Sequence, residues 1–564
     1  MRTSSKINVQ KIVNQSVAHG LKHVVVSPGS RNAALIIAFN QHPEIKCIVV
    51  PDERSAAFVA LGMAQQTSDL VGIVCTSGSA PLNYYPAIAE AFYQNIPLIV
   101  FTADRPQAWV NQGDGQTIVQ DNLFKNHINH SVTFEDNIET PEYHWFLKRE
   151  LSVAFQKANG ISKGPIHINI AFTEPLYGQT EITEVKEDFI NFDEPKRVLS
   201  NSQESYIQEN WNKFSKKMII VGQMNPDFKL TQELQRLSED PSVAILVEHT
   251  SNQIYKNYNH CIDRSLNSIS EEQIETFKPD VLIYLGGAIV SKKIKAFLRK
   301  YQAQVHWKVG MNFPEMDTFQ GMSHSFQLEE GDFVRFLNTL PKQIQSNYGL
   351  KWKQLDYLIQ DKVVKYFDTA NYSDLAVFNK LLDCVPDNSN LHLANSSVIR
   401  YALLFDPIAS IKYWCNRGTS GIDGSTSTAV GAALMQKDSW HTLISGDMSF
   451  FYDSNAFWNH VASPNLRIFL INNGGGSIFK IIPGPDSTEE QNDFFVYNNS
   501  FQAEYLCKNF NISYFKAHNI SEIDKQMEEF YAFEENGRPK VMEIFTNGLE
   551  NEKILKDFFL NVAI

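Results

Sequence analysis

Two short segments hold polar groups where a bound molecule would meet them. Gly446-Asp447-Met448 follows the strand-like HTLIS, and Asn472-Asn473 stands 26 residues further on, at the end of LRIFLI. Ligands of open parallel sheets bind beyond the carboxyl ends of strands, which is where both segments fall. A carboxylate and an amide oxygen are the kind of ligand a hard divalent ion takes. The glycine run 474–476 lets backbone approach an anion such as a phosphate closely. Either segment alone reads as a turn or a flexible loop; the pair at this spacing points to a site. A further acid, Glu53, follows the strand-like KCIVV in PDERSAAFVALGMA. Taken singly it is a first-turn acid favoured by the helix dipole, worth under about 1 kcal/mol. Four arginines also stand in distinctive settings: Arg31 in SPGSRN, Arg105 in ADRP, Arg400 in NSSVIR and Arg417 in NRGTSGIDG. Planar guanidinium groups hold carboxylates in a fixed orientation, although solvation or a structural ion pair is the usual fate of any single arginine.

The elements that must position these residues alternate along the chain. In the first third, 23–27, 47–50, 70–76 and 97–102 are short and rich in Val and Ile, as strands are, with a further strand at 166–172 closing the region. Between them, 54–66 and 82–94 have the length and alanine content of helices, a rhythm that implies a parallel sheet covered on both faces. Residues 181–217 turn polar and read as a linker plus an amphipathic helix. A second series follows, with strands at 218–221, 243–247, 280–285 and 305–309. The helical stretch 350–367 leads into a third, with strands at 391–394, 413–415, 442–445, 467–471 and 541–545.

A chain of 564 residues divides into roughly four domains at about 150 residues each, and the three series reduce that to three. Acidic residues outnumber basic ones by 63 to 50, a net charge of −13, which argues against a protein that tracks a phosphate backbone. The six cysteines, Cys47, Cys75, Cys261, Cys384, Cys415 and Cys507, are scattered singly with no zinc or disulfide spacing, which fits a reducing cytosol. The start MRTSSKINVQ lacks the apolar core of a signal peptide, and no apolar run is long enough to span a bilayer, so a cytoplasmic protein is expected.

Gly446-Asp447 with Asn472-Asn473 resembles the diphosphate and metal motif of thiamine-diphosphate-dependent enzymes, and the Glu53 segment resembles their activating glutamate segment. Met448 stands where the family usually has glycine, which removes no ligand. The resemblance covers the whole chain. It implies an α/β fold of three domains in series, each a largely parallel sheet flanked by helices. These would be a pyrimidine-binding domain at 1–180, a central α/β domain at 181–345 and a diphosphate-binding domain at 346–564. The implied cofactors are thiamine diphosphate and Mg²⁺ or Mn²⁺, the metal held by Asp447, Asn473 and the carbonyl of Gly475. Glu53 is the implied catalytic acid against the aminopyrimidine ring, with cofactor contacts from Ser420, Ile422, Gly446 and Ile478. In the family the two binding domains meet across a homodimer interface, so Glu53 would serve cofactor held by the neighbouring subunit; a tetramer is compatible with this.

The segments 27–32, 103–106 and 416–424 narrow the resemblance to a branch serving menaquinone biosynthesis, which decarboxylates 2-oxoglutarate and adds the succinyl carbanion to isochorismate in 1,4 fashion. Both substrates are dianions. The resemblance implies Ser396, Arg400 and Arg417 for the 2-oxoglutarate carboxylate, Ser30, Arg31, Arg105, Gln116 and Lys292 for isochorismate, and Phe479 on the apolar wall. Lys293 carries no assigned role, since the family often has arginine there. An acetolactate synthase or a 2-oxoacid decarboxylase would share Glu53, Asp447 and Asn473, but such small monoacid substrates need fewer cationic anchors. A cofactor-binding regulator that lost turnover would keep the fold. No GxxxxGK[ST] loop supports a nucleotide-binding alternative.

Overall fold

The computed structural model describes residues 2–181, 189–459, 463–476, 478–481, 484–535 and 537–564. Three parallel sheets follow one another along the chain. The first comprises β1 (His23–Val26), β2 (Lys46–Val49), β3 (Val71–Cys75), β4 (Leu98–Asp104), β5 (His130–Glu135) and β6 (Ile166–Ala171), in the order β2-β1-β3-β4-β6-β5. The middle sheet comprises β7 (Lys217–Val221), β8 (Val243–Val247), β9 (Val281–Leu285), β10 (Val305–Val309) and β11 (His324–Phe326), in the order β8-β7-β9-β10-β11. The last comprises β12 (Asn390–Leu393), β13 (Lys412–Trp414), β14 (His441–Gly446), β15 (Leu466–Asn472), β16 (Ser513–Ala517) and β17 (Lys540–Phe545), in the order β13-β12-β14-β15-β17-β16. The outer two sheets thus share one topology, with the fifth strand outside the sixth. Helices cover the faces, as the Val- and Ile-rich central strands require. Among the described residues no helix is long and apolar enough to cross a membrane.

Two expectations need correction. The strands expected in the outer two series omit one each: β5, which pairs outside β6, and β16, which pairs outside β17. β5 and its counterpart β16 are edge strands with exposed or half-exposed positions along HSVTFE and SYFKA, so neither forms the apolar run by which a buried strand is found. The helix expected over 82–94 is two, Ala80–Asn83 and Tyr85–Gln94, separated at Tyr84; Pro86 occupies the first turn of the second, where its missing N–H costs nothing. The polar stretch 181–217 contains the helix Asn201–Lys213, opened by a capping box at Ser200, while 182–188 lie outside the described residues.

The element that ties the first sheet to the last is the helix Glu53–Thr67. Asp52 caps it by accepting from the Ser55 N–H at 3.2 Å, and it ends at Ser68 in the left-handed region, φ 60°. Its sequence is small and apolar all round, as befits a helix buried on every side. It crosses Ser425–Met435 so closely that a Cβ at Gly62 would lie 1.9 Å from the Thr428 carbonyl oxygen, and one at Gly431 would lie 1.9 Å from that of Val59. Core residues of the two sheets and of both helices form one continuous cluster. Gly62→Ala is therefore expected to cost about 3 kcal/mol or more, because the obstacle is backbone on both sides; thermal unfolding of the variant checks this.

Candidate active site

Asp447 and Asn473 emerge side by side. β14 and β15 are parallel neighbours paired through Gly446 and Ile471, and Asp447 opens the short helix Asp447–Tyr452 directly after β14. The Asp447 carboxylate is buried; it accepts from the Met448 N–H at 2.7 Å and from Asn499 Nδ2 at 3.4 Å. Asn473 donates from Nδ2 to Asp374 Oδ2 at 2.8 Å, and its Oδ1 is buried with no hydrogen-bond partner. A carboxylate accepts only, so this contact fixes which way the amide points and leaves the oxygen free. Asp374 is held in turn by Thr546 Oγ1, and its own N–H donates to Asn551 Oδ1. Gly474 and Gly475 have φ 81° and 142°, and a Cβ on Gly475 would lie 2.5 Å from the Tyr497 carbonyl oxygen. Only glycine fits there, which keeps the backbone bare beside Asp447. Burial pushes the Asp447 carboxyl up to about 6, against hydrogen bonds from Met448, Asn499 and Gly475. Neither Asp447 nor Asp374 has a cationic partner among the described residues.

This arrangement fits a hard divalent cation bound with a diphosphate. A buried carboxylate, an orphaned amide oxygen and a glycine backbone free of side chains provide oxygen ligands of the right kind and leave coordination positions for phosphate oxygens. Among the described residues no group of three or more His, Cys, Asp or Glu side chains converges, so a cation here depends on amide, carbonyl and ligand oxygens. Asp374 escaped the sequence reading, since nothing local marks a residue that acts 99 positions away.

The loop 416–424 carries Arg417, Ser420 and Ile422. Asn395, missed in the sequence, braces it by donating from Nδ2 to the carbonyls of Asn416 and Gly421 at 2.6 and 2.7 Å. Ser420 has φ 63°, and Ser449 Oγ donates to the Ile422 carbonyl at 2.9 Å. Gly424 lies against Phe58 of the helix that begins with Glu53. Ile478 is buried, and Phe479 packs on Phe495 with ring centroids 5.9 Å apart.

Arg400 lies close enough to Arg417 to feel its charge. Burial, with Arg417 nearby, pulls the Arg400 guanidinium below its ordinary value. Arg400 donates to the Ser396 carbonyl and Arg417 to Asn395 Oδ1 at 2.8 Å, while Arg417 Nε is buried without a partner. Ser396 has φ 73° and ψ −127°, a backbone region that costs a non-glycine residue of order 1–3 kcal/mol and marks functional sites. Glu248, directly after β8, accepts from the N–H groups of Val290 and Ser291, both at 2.7 Å, and feels the charge of Arg417; burial pushes its carboxyl up to about 7. The lysine brought near this group is Lys295, whose ammonium burial pulls down and which feels Glu248, Arg417 and Arg400. Lys292 is exposed at the start of Lys292–Lys300, and Lys293 sits 3.8 Å over the Phe559 ring and donates to Asn267.

The remaining residues gather at the carboxyl end of the first sheet. Arg31 follows β1, is buried, and pairs with Glu174 at 3.3 Å. Arg105 follows β4, pairs with Asp114 at 3.1 Å and donates to the Gly115 carbonyl at 3.0 Å, with Nε unpartnered. The two guanidinium groups are close enough that, after burial, Arg105 is the next influence lowering Arg31. Gln116 has φ 55° and accepts from Ser77 Oγ at 2.8 Å through its carbonyl, and Ser30 lies beside Arg31 in sequence. Glu53 is half-buried, and burial, with Asp52 beside it, holds its carboxyl above the ordinary range. Its neighbours reach the third sheet's loops: Asp52 accepts from Asn455 Nδ2 at 2.5 Å and Arg54 donates to the Tyr452 carbonyl at 2.7 Å. Among the described residues no hydrogen bond or ion pair joins Glu53, Arg31 or Arg105 to Asp447, Asn473 or Arg400. Among the described residues these side chains thus form two separate groups, one at the end of the first sheet and one at the end of the last.

Comparison with known proteins places this geometry in a class. Residues 9–126 match the family model for the thiamine pyrophosphate enzyme N-terminal TPP binding domain, and 189–393 match the middle domain of thiamine pyrophosphate enzymes. Fold and site together define a thiamine-diphosphate-dependent enzyme that forms carbon–carbon bonds. The chain is 43% identical to a Flavobacterium johnsoniae 2-succinyl-5-enolpyruvyl-6-hydroxy-3-cyclohexene-1-carboxylate synthase, over 98% of both chains. It is 42% identical to the Christiangramia forsetii protein of that name, over 98% of this chain and 99% of the relative. With the Bacteroides thetaiotaomicron protein of the same name the identity is 36%, over 99% of each. The chain belongs to the 2-succinyl-5-enolpyruvyl-6-hydroxy-3-cyclohexene-1-carboxylate synthase family.

Proposed function

We propose that the enzyme decarboxylates 2-oxoglutarate and joins the resulting four-carbon unit to isochorismate by 1,4-addition. The observation that carries this reading is the presence of two separate arginine pairs, Arg31 with Arg105 and Arg400 with Arg417, each with one buried and unpartnered Nε. Two dianionic substrates call for two such pairs. Arg400, Arg417 and Ser396 bind the distal carboxylate of 2-oxoglutarate; Ser30, Arg31, Arg105, Gln116 and Lys292 receive isochorismate. Lys295 adds positive charge beside the first group. Thiamine diphosphate, when bound, supplies the electron sink for the carbanion left by carbon dioxide. Asp447, Asn473 and the Gly475 carbonyl would hold Mg²⁺ or Mn²⁺, and Gly446, Ser420, Ile422 and Ile478 would line the bed of the cofactor. With the cofactor in place, Glu53 would hold a proton beside its aminopyrimidine ring, and Phe479 would help to keep water from the reacting carbon.

The domains are taken as 1–180, 181–345 and 346–564, each enclosing one parallel sheet. No hydrogen bond or ion pair joins Glu53 to the Asp447 cluster of its own chain among the described residues, and we propose a homodimer in which each subunit's Glu53 serves its partner's cofactor; two dimers would make a tetramer. Six free thiols support a cytoplasmic setting. The test is carbon dioxide release from 2-oxoglutarate with isochorismate, against pyruvate alone. Turnover of pyruvate but not of the named pair would favour an acetolactate-type enzyme. In the same assay Arg400→Ala should raise KM for 2-oxoglutarate by about 10- to 100-fold, as loss of a charge-assisted contact does. An unchanged KM would remove Arg400 from the site.

A further inference from the structure

We infer that Glu90, a buried carboxylate of the first domain, is a positioning residue that sets the third-domain loop carrying Arg417 and Ser420. Glu90 lies on the helix Tyr85–Gln94 and is 1% exposed. Its Oε1 accepts from the Gly418 N–H at 2.6 Å and from Gln94 Nε2. Its Oε2 accepts from the Thr419 N–H at 2.7 Å and from Thr419 Oγ1 at 2.6 Å. A buried charge is tolerated only when such donors surround it, and here two of the four are consecutive backbone N–H groups standing between Arg417 and Ser420. The loop rides directly on this helix: a Cβ on Gly418 would lie 2.7 Å from the Glu90 carbonyl oxygen. On the other side of Arg417, the Cys415 carbonyl accepts from Gln223 Nε2 of the middle domain at 2.6 Å, and Gln223 also donates to Gln94 Oε1 at 3.0 Å. Arg417 is thus flanked by anchors from both other domains of its own chain.

The consequence rests on the reading of Arg417 as a 2-oxoglutarate ligand. The first domain contributes Glu53 to one site, and through Glu90 it also fixes the anion-binding loop of the other half-site, so the two halves are built by one chain and cannot form independently. Glutamine is nearly isosteric with glutamate but donates from one side. Whichever way the amide introduced by Glu90→Gln turns, its nitrogen meets the N–H of Gly418 or of Thr419, and one backbone bond is lost.

The experiment compares Glu90→Gln with the parent holoenzyme in two measurements. Hydrogen exchange over 415–421 reads the clamp directly, and steady-state kinetics separate the two substrates. Expected are faster exchange of the Gly418 and Thr419 amides and a KM for 2-oxoglutarate raised about 10- to 100-fold, the usual consequence of a misplaced binding group. KM for isochorismate, read by the first-domain arginines, should stay within about twofold on the same reasoning. Unchanged exchange, or equal movement of both KM values, would overturn the positioning role, since a merely structural defect acts on both substrates. Should Glu90→Gln fail to fold, Thr419→Val removes one of the four donors and must shift KM for 2-oxoglutarate in the same direction; an unchanged value overturns the proposal. If the parent enzyme itself does not turn over 2-oxoglutarate, the substrate reading has failed, while the exchange measurement still decides whether Glu90 holds the loop.

Discussion

Glu53→Gln should lower the rate of carbon dioxide release from 2-oxoglutarate by about 10²–10⁴-fold, the range supplied by a positioned proton-transfer group, while thiamine diphosphate binding changes little. The side chain is well placed for such work. Asp52 fixes the helix start, so Glu53 is the first helical residue, half-buried at the carboxyl end of the first sheet. Burial, reinforced by Asp52, raises its carboxyl above the ordinary 4.5, so it keeps a proton to higher pH than a solvated glutamate. The amide of glutamine preserves shape and one hydrogen bond but cannot exchange that proton. The same shift fixes the sign of the stability effect. A carboxyl that binds its proton more tightly folded than unfolded makes stability fall as pH rises from 4.5 upward. Glu53→Gln removes that penalty, so the variant should unfold at the same or a higher temperature at neutral pH while losing turnover, the usual trade of stability against function. Full retained activity would end the assignment of Glu53, and a large loss of thiamine diphosphate affinity would make it a binding residue instead.

The parts of this molecule legible in its sequence are those whose environment is symmetric or local. Central strands such as Val71–Cys75 and Val281–Leu285 are covered on both faces and read as unbroken apolar runs. The edge strands His130–Glu135 and Ser513–Ala517, half solvated, do not. Asp447, Asn473 and Glu53 stand out because strand ends announce themselves and place ligands by rule. Glu90, Asn395 and Asp374 carry no such mark. Glu90 meets Gly418 across 328 residues, and only the docking of one domain on another brings them together. The lysines of Lys292–Lys300 make the same point within one helix, since which of Lys292, Lys293 and Lys295 meets the arginines depends on how the helix packs. Local spacing picks out the groups proposed to touch ligands; the side chains that hold those groups in place are visible only in the fold.

Asp374→Asn should weaken Mg²⁺ binding by about 10- to 100-fold, as loss of an outer partner of a metal ligand does, although Asp374 itself stands behind the proposed metal ligands. In the parent, the Asp374 carboxylate can only accept, so Asn473 must present Nδ2 to it and keep Oδ1, buried and unpartnered, for the cation. The amide that replaces this carboxylate offers a donor as well as an acceptor, and the Asn473 amide can then turn its oxygen away from the site. Thr546 Oγ1, which donates to the other Asp374 oxygen in the parent, would keep the new amide's oxygen on its own side and so aim the NH₂ at Asn473, strengthening that turn. Without metal, the variant should be no less stable than the parent, because it removes a buried carboxylate that has no cationic partner among the described residues. With saturating Mg²⁺ and thiamine diphosphate the order reverses, since ligand bound only to the folded state stabilises the parent more. Calorimetric titration of Mg²⁺ in the presence of thiamine diphosphate, with thermal unfolding of apo and loaded protein, measures both effects without recourse to turnover. A Mg²⁺ affinity within about twofold of the parent's would mean that the Asn473 amide is oriented by its own loop, and Asp374 would then be a buried anchor of the helix Asp374–Cys384 alone.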